Sequence, residues 1–364
     1  MLPTPASFDS RFNRKTPAPY HQWRRTLLAR SRATNLALGI LGSIAALSLL
    51  LNLRFWLLSP SDGSDDSIGY FSSASRSRER DYAMAMRGTR AKDFLKVGVE
   101  RSEEMVGVRH LIVVTGHAVW HGCEASDNAK DEEWILEEYQ KGTKSIKVFF
   151  EHIRRGVELA LKDESSLLVF SGGQTRRNSL VTEASSYYRL AHITNLFNQT
   201  LPPHSTDPDL TPIFPRATTE DYALDSYQNL LFSIARFREV TGTFPRRITV
   251  IGFDMKRRRF EDLHRNAIRW PRDRFGYVGV DLEGDTTASY SGERMNGYLP
   301  YERDLYGCHD TLLEKRTKRN PFLRFHSYYS TSPELAALLD WCPPLRNNGA
   351  RDVFPGYLPW DKYW

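Results

Sequence analysis

The chain has 364 residues, 40% of them hydrophobic and 26% charged, with three cysteines and a formal net charge of +6. That length holds one or two cored domains, and three cysteines exclude a disulfide scaffold. The charge excess lies wholly in residues 1–35, where Arg11, Arg14, Lys15, Arg24, Arg25, Arg30 and Arg32 face Asp9 alone. The rest of the chain sums to zero, which leaves no excess for a nucleic-acid-binding face.

After this basic tail, residues 36–53 carry no charge over eighteen positions and are followed by Arg54 and Phe55-Trp56-Leu57-Leu58. This meets the requirement for a membrane-spanning helix. Its long lead argues against a cleaved signal peptide. A signal anchor over Leu36–Leu58 is therefore expected. The positive-inside rule then places residues 1–35 in the cytosol and the remainder in an endomembrane lumen, with Golgi or endoplasmic reticulum favoured. The sequon Asn198-Gln199-Thr200 fits that side. So does a bond between Cys308 and Cys342, for which free buried thiols are the alternative.

Residues 59–105 begin rich in Ser, Asp, Gly and Arg and read as a stalk or linker. The folded domain is expected over 106–285. Its first buried strand is Arg109 to Gly116, followed by an acidic irregular insertion from Cys123 to Lys144. Ser145 to Leu161 places Ile146, Phe149, Phe150, Ile153, Val157 and Leu161 on one helical stripe. Leu167 to Phe170 is the next strand, and a helix carrying Val181, Ala184, Tyr188 and Ala191 follows. Thr218-Thr219-Glu220-Asp221 reads as a cap that opens a third helix, continuing from Tyr222 to Val240. Arg247 to Phe253 and Tyr277 to Val280 are further strands, with a helix over Asp262–Ile268 between them. Strands alternating with helices of this length mean an α/β fold, a parallel sheet with helices on both faces. Residues 286–364, rich in aromatics, Pro and Arg, are expected to pack on that domain.

The residues that can carry chemistry cluster at strand ends. Ser171, Gly172 and Gly173 close the second strand, where exposed amides suit an anion; a ligand-free tight turn is the alternative. Glu183 follows, as a complement to the helix dipole or an acceptor for a sugar hydroxyl. Helical spacing puts Asp225 and Asn229 on one face, with Ser226 beside them. Lys256 to Arg259 follow the Arg247–Phe253 strand and suit a phosphate-bearing ligand, or form a solvated basic turn. His117, His121, Cys123 and Glu124 lack a strong zinc spacing, so no metal is assigned, and His117 is read as contacting ligand or moving protons.

The order of these motifs resembles the domain-of-unknown-function 218 proteins, SanA-, ElyC- and YdcF-like, in a membrane-anchored fungal branch. The resemblance rests on a strand ending in Gly116, then Ser171-Gly172-Gly173 with Thr182-Glu183-Ala184, then Glu220 to Asn229, then a strand and a basic turn. The bacterial third motif reads E-x-x-S-x-x-T-x-E-N. Glu220 and Asn229 match it, while Ala223, Ser226 and Gln228 replace Ser, Thr and Glu. Lys256 and Arg259 stand where the bacterial proteins carry His and Arg, and Gly116-His117 replaces a glycine-rich turn. The resemblance covers residues 109 to 281 and implies a Rossmann-like sheet, with links to envelope and lipid-carrier metabolism.

The expected function is binding, with hydrolysis or transfer as an extension, of a phosphorylated or nucleotide-like small molecule or lipid carrier. Gly116, Ser171, Gly172, Gly173, Glu183, Ser226, Asn229, Lys256 and Arg259 would hold it, with Glu220 and His117 as the catalytic pair. The cofactor is left open. A non-catalytic scaffold of the secretory pathway is one alternative. An S-adenosylmethionine-binding protein is another, although the chain has no convincing G-x-G-x-G turn.

Overall fold

A computed structural model describes residues 40–50, 103–198, 214–281 and 283–363. Residues 40–50 form a helix whose large side chains, Ile44, Leu47 and Leu50 among them, are exposed. Among the described residues no helix is long and apolar enough to cross a membrane. Residues 36–39 and 51–58 of the expected span lie outside them. So do the basic tail, the stalk to residue 102, and Gln199 and Thr200 of the sequon.

The larger unit contains seven strands: β1 (His110–Thr115), β2 (Val119–Trp120), β3 (Trp134–Ile135), β4 (Ser166–Ser171), β5 (Ala217–Glu220), β6 (Arg247–Phe253) and β7 (Phe275–Val280). Five make one parallel sheet in the order β5-β4-β1-β6-β7, and β2 with β3 forms a small antiparallel pair in the insertion. The principal helices are α1 (Ser145–Lys162), α2 (Glu183–Ile193), α3 (Ser226–Thr241), α4 (Asp310–Lys318) and α5 (Tyr328–Thr331).

Alternation along the strands builds two cores. Ile112, Val114, Leu168, Phe170 and Ile251 face α1 and α2 on one side. Leu111, Val113, Leu167, Val169, Ile248 and Val250 face α3 on the other. A strand buried on both faces is apolar at most positions, which is why its sequence is a run rather than an alternation. The C-terminal segment joins the α3 side, contributing Tyr306, Leu312, Tyr328, Leu338 and Trp360 to that core. Cys308 and Cys342 are disulfide-bonded.

The helix expected to open at Thr218 is corrected. Ala217–Glu220 is instead the edge strand β5, and α3 starts at Ser226. Three carbonyls, of Ala160, Asp163 and Ser166, accept from the Arg216 guanidinium at 2.9–3.0 Å and fix where β5 begins. The β-branched Thr218 and Thr219 suit a strand. The helix cap is Asp225, whose carboxylate accepts from the Gln228 amide at 2.9 Å. Gly242, at φ 75°, ends α3 in the left-handed conformation.

Helix α1 packs on the sheet through Gly156, where an added methyl carbon would lie 2.3 Å from Val114 Cγ2. On an exposed helix Gly→Ala stabilises by about 1 kcal/mol. Here Gly156→Ala should instead lower the unfolding free energy of the full-length protein by about 1–3 kcal/mol. Urea denaturation reads this directly. Unchanged or increased stability would mean that α1 packs less tightly than described.

Candidate functional site

The sheet reverses its winding direction between β1 and β6. In open parallel sheets the strand ends diverge there, and the crevice they leave is where ligands enter. His117, just beyond β1, and Lys256, in the 3-10 turn Asp254–Lys256 after β6, occupy this crevice.

His117 is held by its backbone. Its N–H donates to Tyr187 Oη at 3.2 Å, and its carbonyl accepts from Gln140 Nε2 at 3.1 Å and Arg176 Nη2 at 2.9 Å. The ring packs against Phe149 and Phe253, with His152 edge-on. Nδ1 lies 3.4 Å from Lys256 Nζ, and Nε2 lies 3.4 Å from Thr115 Oγ1, which donates to the Ile251 carbonyl. While Lys256 is charged its ammonium can only donate, so in that state Nδ1 accepts from it and Nε2 carries the ring proton. Burial, reinforced by the neighbouring Lys256 charge, holds the His117 pKa well below its ordinary value. His117 is therefore a neutral acceptor.

The turn carrying Lys256 is fixed by Asp254, which accepts from Arg257 Nη2 at 2.6 Å and Tyr290 Oη at 3.0 Å. Gly279 leaves room for that carboxylate, since a side-chain carbon there would sit 1.9 Å from Asp254 Oδ1. Burial, with Arg259 and Arg319 adding to it, brings the Lys256 pKa down to about 7; Glu293 and Glu183 act in the opposite direction. Lys256 makes no ion pair among the described residues. Neither does Arg319, whose Nη1 donates to the Leu224 carbonyl at 3.2 Å. Arg259 is different, because its Nη1 is 3.3 Å from Glu293 Oε1 and both side chains are buried. Arg259 thus shapes the potential at Lys256 while its own charge is already compensated.

The glycine turn does not do what its sequence suggests. The amides of Gly116, Gly172 and Gly173 donate to the carbonyls of Ser171, Glu220 and Ala223 at 2.7, 3.0 and 2.8 Å, so none is free for an anion. The carbonyls of Gly172 and Gly173 in turn accept from the first amides of α2. The glycines instead admit the Glu183 side chain, because a methyl carbon on Gly116 or Gly172 would lie 2.8 Å from Glu183 Oε2.

Glu220 is corrected as well. It is fully buried, and its carboxylate accepts from Ser171 Oγ and the Tyr222 amide at 2.8 Å, from Tyr328 Oη at 3.0 Å and from the Ala223 amide at 3.2 Å. With both oxygens engaged it is a structural pin, not a base open to substrate. Burial raises its pKa to about 7 against those hydrogen bonds. Asn229 belongs to the same cluster, with Oδ1 3.0 Å from Ser171 Oγ. Ser226 pairs instead with His264 Nε2 at 2.8 Å. Of the residues weighed for a metal, His121 lies 3.7 Å from Glu133 and Cys123 is exposed.

Sequence reading missed Arg176, Arg319, Glu293 and Tyr328. Arg176 lies in a loop, Glu293 ends a short helix over Thr287–Glu293, Arg319 caps α4 and Tyr328 opens α5; spacing within these segments gives no sign of which sheet edge they return to.

Comparison with known proteins yields a relative without an assigned activity. The uncharacterized protein YOR238W of Saccharomyces cerevisiae is 29% identical over 262 residues, with 60% of this chain and 86% of the yeast protein covered. No protein-family profile matches the chain, and no solved structure matches it.

The raised Glu220 pKa has a signed consequence. Between pH 4.5 and about 7 the folded chain keeps a proton that the unfolded chain releases, so stability falls as pH rises through that window and is level above it. Glu220→Gln removes this dependence. Between pH 5 and pH 8 the wild type should lose about 1–3 kcal/mol relative to the variant in urea denaturation. Parallel profiles would show that Glu220 titrates as an ordinary carboxyl group.

Proposed function

We propose that the domain binds a phosphorylated or nucleotide-like small molecule, with phosphate between Lys256 and Arg319 and beside His117. One observation carries this reading: Lys256, at the winding reversal and 3.4 Å from His117 Nδ1, makes no ion pair among the described residues. An anion is what pairs with such a charge. The strand order β5-β4-β1-β6-β7 supports a Rossmann-like classification, and the motif order resembling the domain-of-unknown-function 218 proteins supports the same reading. For hydrolysis or transfer the crevice offers one proton donor near neutrality, Lys256, and one neutral acceptor, His117. The commitment of Glu220 favours a second reading, binding without catalysis.

The charge-free run at 36–53 behind its arginine-rich flank supports anchorage in an endomembrane, with the domain on the lumenal side. The Cys308–Cys342 bond fits an oxidising lumen.

Calorimetric titration of the full-length protein with inorganic phosphate, sugar phosphates and nucleotides tests this reading. A phosphomonoester is a dianion above its second pKa of about 6. Lys256 must be charged to hold it, so affinity should be greatest near pH 6–7 and fall about tenfold per unit above pH 7. The charged and titratable groups around Lys256 are His117, His152, Arg259, Arg319, Glu183 and Glu293. Lys256→Met should weaken binding and abolish that slope, whereas Arg319→Ala should weaken binding and keep it. Absence of binding by every phosphate compound would overturn the proposal.

A further inference from the structure

Residues 314–325 carry Lys315, Arg316, Lys318, Arg319 and Arg324 against Glu314 alone. They run from the second half of α4 into the loop that leads to α5. Arg316 is committed to Asp225, and Lys315 donates to the Asn296 carbonyl at 2.9 Å. Lys318 faces solvent, where its pair with Glu314 at 2.7 Å adds little. Arg324 lies over the Tyr222 ring, 4.6 Å from its centroid.

The apolar side chains of this loop are turned to water. Leu323 is 87% exposed, more than any other large apolar side chain among the described residues, and Phe325 is 74% exposed. Neither is loosely held. Asn320 clamps the turn: its side-chain amide donates to the Arg324 carbonyl and its side-chain oxygen accepts from the Arg324 amide, both at 2.9 Å. The Asn320 carbonyl accepts from the Leu323 amide at 3.2 Å. Leu323 itself sits at φ 52°, a left-handed conformation that a leucine adopts only at a cost. The Phe325 ring lies nearly parallel to those of His326 and Tyr329, with centroids 4.9 and 5.7 Å away. A fixed, strained turn that displays a leucine to water is accounted for by a surface that covers it.

The cations say which surface. Apolar tips flanked by Lys and Arg match a bilayer interface, where apolar side chains enter the acyl boundary and cations meet lipid phosphates. We propose that residues 320–325 contact an anionic lipid surface, with Leu323 and Phe325 entering it while Lys318 and Arg324 meet its phosphates. The proposal needs neither the phosphate site nor the anchor at residues 36–58, and its test keeps them apart.

The test places an environment-sensitive fluorophore on Leu323→Cys in the full-length Cys123→Ser protein, whose other two cysteines are disulfide-bonded. The protein is mixed with or reconstituted into phosphatidylcholine vesicles, with and without phosphatidylserine, and spin-labelled lipid reports contact by quenching. The same probe on Tyr357→Cys, a position 68% exposed in the wild type, controls for a domain merely held nearby. With phosphatidylserine present the probe at 323 should be quenched and that at 357 should not. Lys318→Gln with Arg324→Gln should lower the ratio of contacting to free loop about 25-fold, at about fivefold per charge. Omitting phosphatidylserine should act in the same direction. Phe325→Cys carries the probe if the 323 variant does not fold. Equal quenching at 323 and 357, or quenching indifferent to phosphatidylserine and to both charges, would overturn the proposal. So would probe shielding that grows with protein concentration without vesicles, which would assign the loop to a second copy. Retention on vesicles without quenching at 323 would remove the loop contact and leave the anchor reading standing.

Discussion

The carboxyl group of Glu220 ties together three distant parts of the chain. Ser171 ends β4, Tyr222 and Ala223 lead from β5 towards α3, and Tyr328 belongs to the C-terminal segment; all donate to it. Parallel register puts Thr115, Ser171 and Glu220 in one row at the carboxyl edge of the sheet. Burying a carboxylate is costly, and four donors offset that cost only in part, as the raised pKa shows. In return the loops converge in a single arrangement, since any other would leave this carboxylate without donors inside the protein. The crevice above inherits its geometry from that constraint.

Several charges of the domain are paired. Arg257 meets Asp254, Arg316 meets Asp225 at 2.7 Å, Arg269 meets Asp361 at 2.7 Å, and Arg259 meets Glu293. Lys256 makes no such pair among the described residues, and its Nζ lies 3.4 Å from His117 Nδ1. A bound anionic group would complement it. Neutral His117 adds an acceptor beside it.

The parts of the fold that could be read from sequence are those buried on both sides. β1, β4, β6 and β7 declare themselves as apolar runs, and α1 by its stripe. β5 does not, because a four-residue edge strand of Ala-Thr-Thr-Glu has no apolar run and its Thr and Asp imitate a helix cap. At the sheet edge, the proximity of His117 and Lys256 was legible because both follow strands whose carboxyl ends share one edge of a parallel sheet. The glycines were legible as a close approach, but sequence does not say whether a ligand or a side chain fills the space they leave. Here Glu183 fills it. Arg319 and Tyr328 were illegible because nothing local dictates where an aromatic, aperiodic segment folds back.

That the final third supplies both Arg319 and Tyr328 has a temporal side. A chain emerging amino end first can pair β1, β4, β5 and β6 long before residue 319 exists. During that interval Glu220 lacks its Tyr328 donor and the crevice lacks a cation. Trp360, which packs on Trp270 and donates to the Ile268 carbonyl, arrives later still. A nascent sheet can therefore form early, yet the Glu220 cluster is complete only once the segment carrying Tyr328 has folded back onto it.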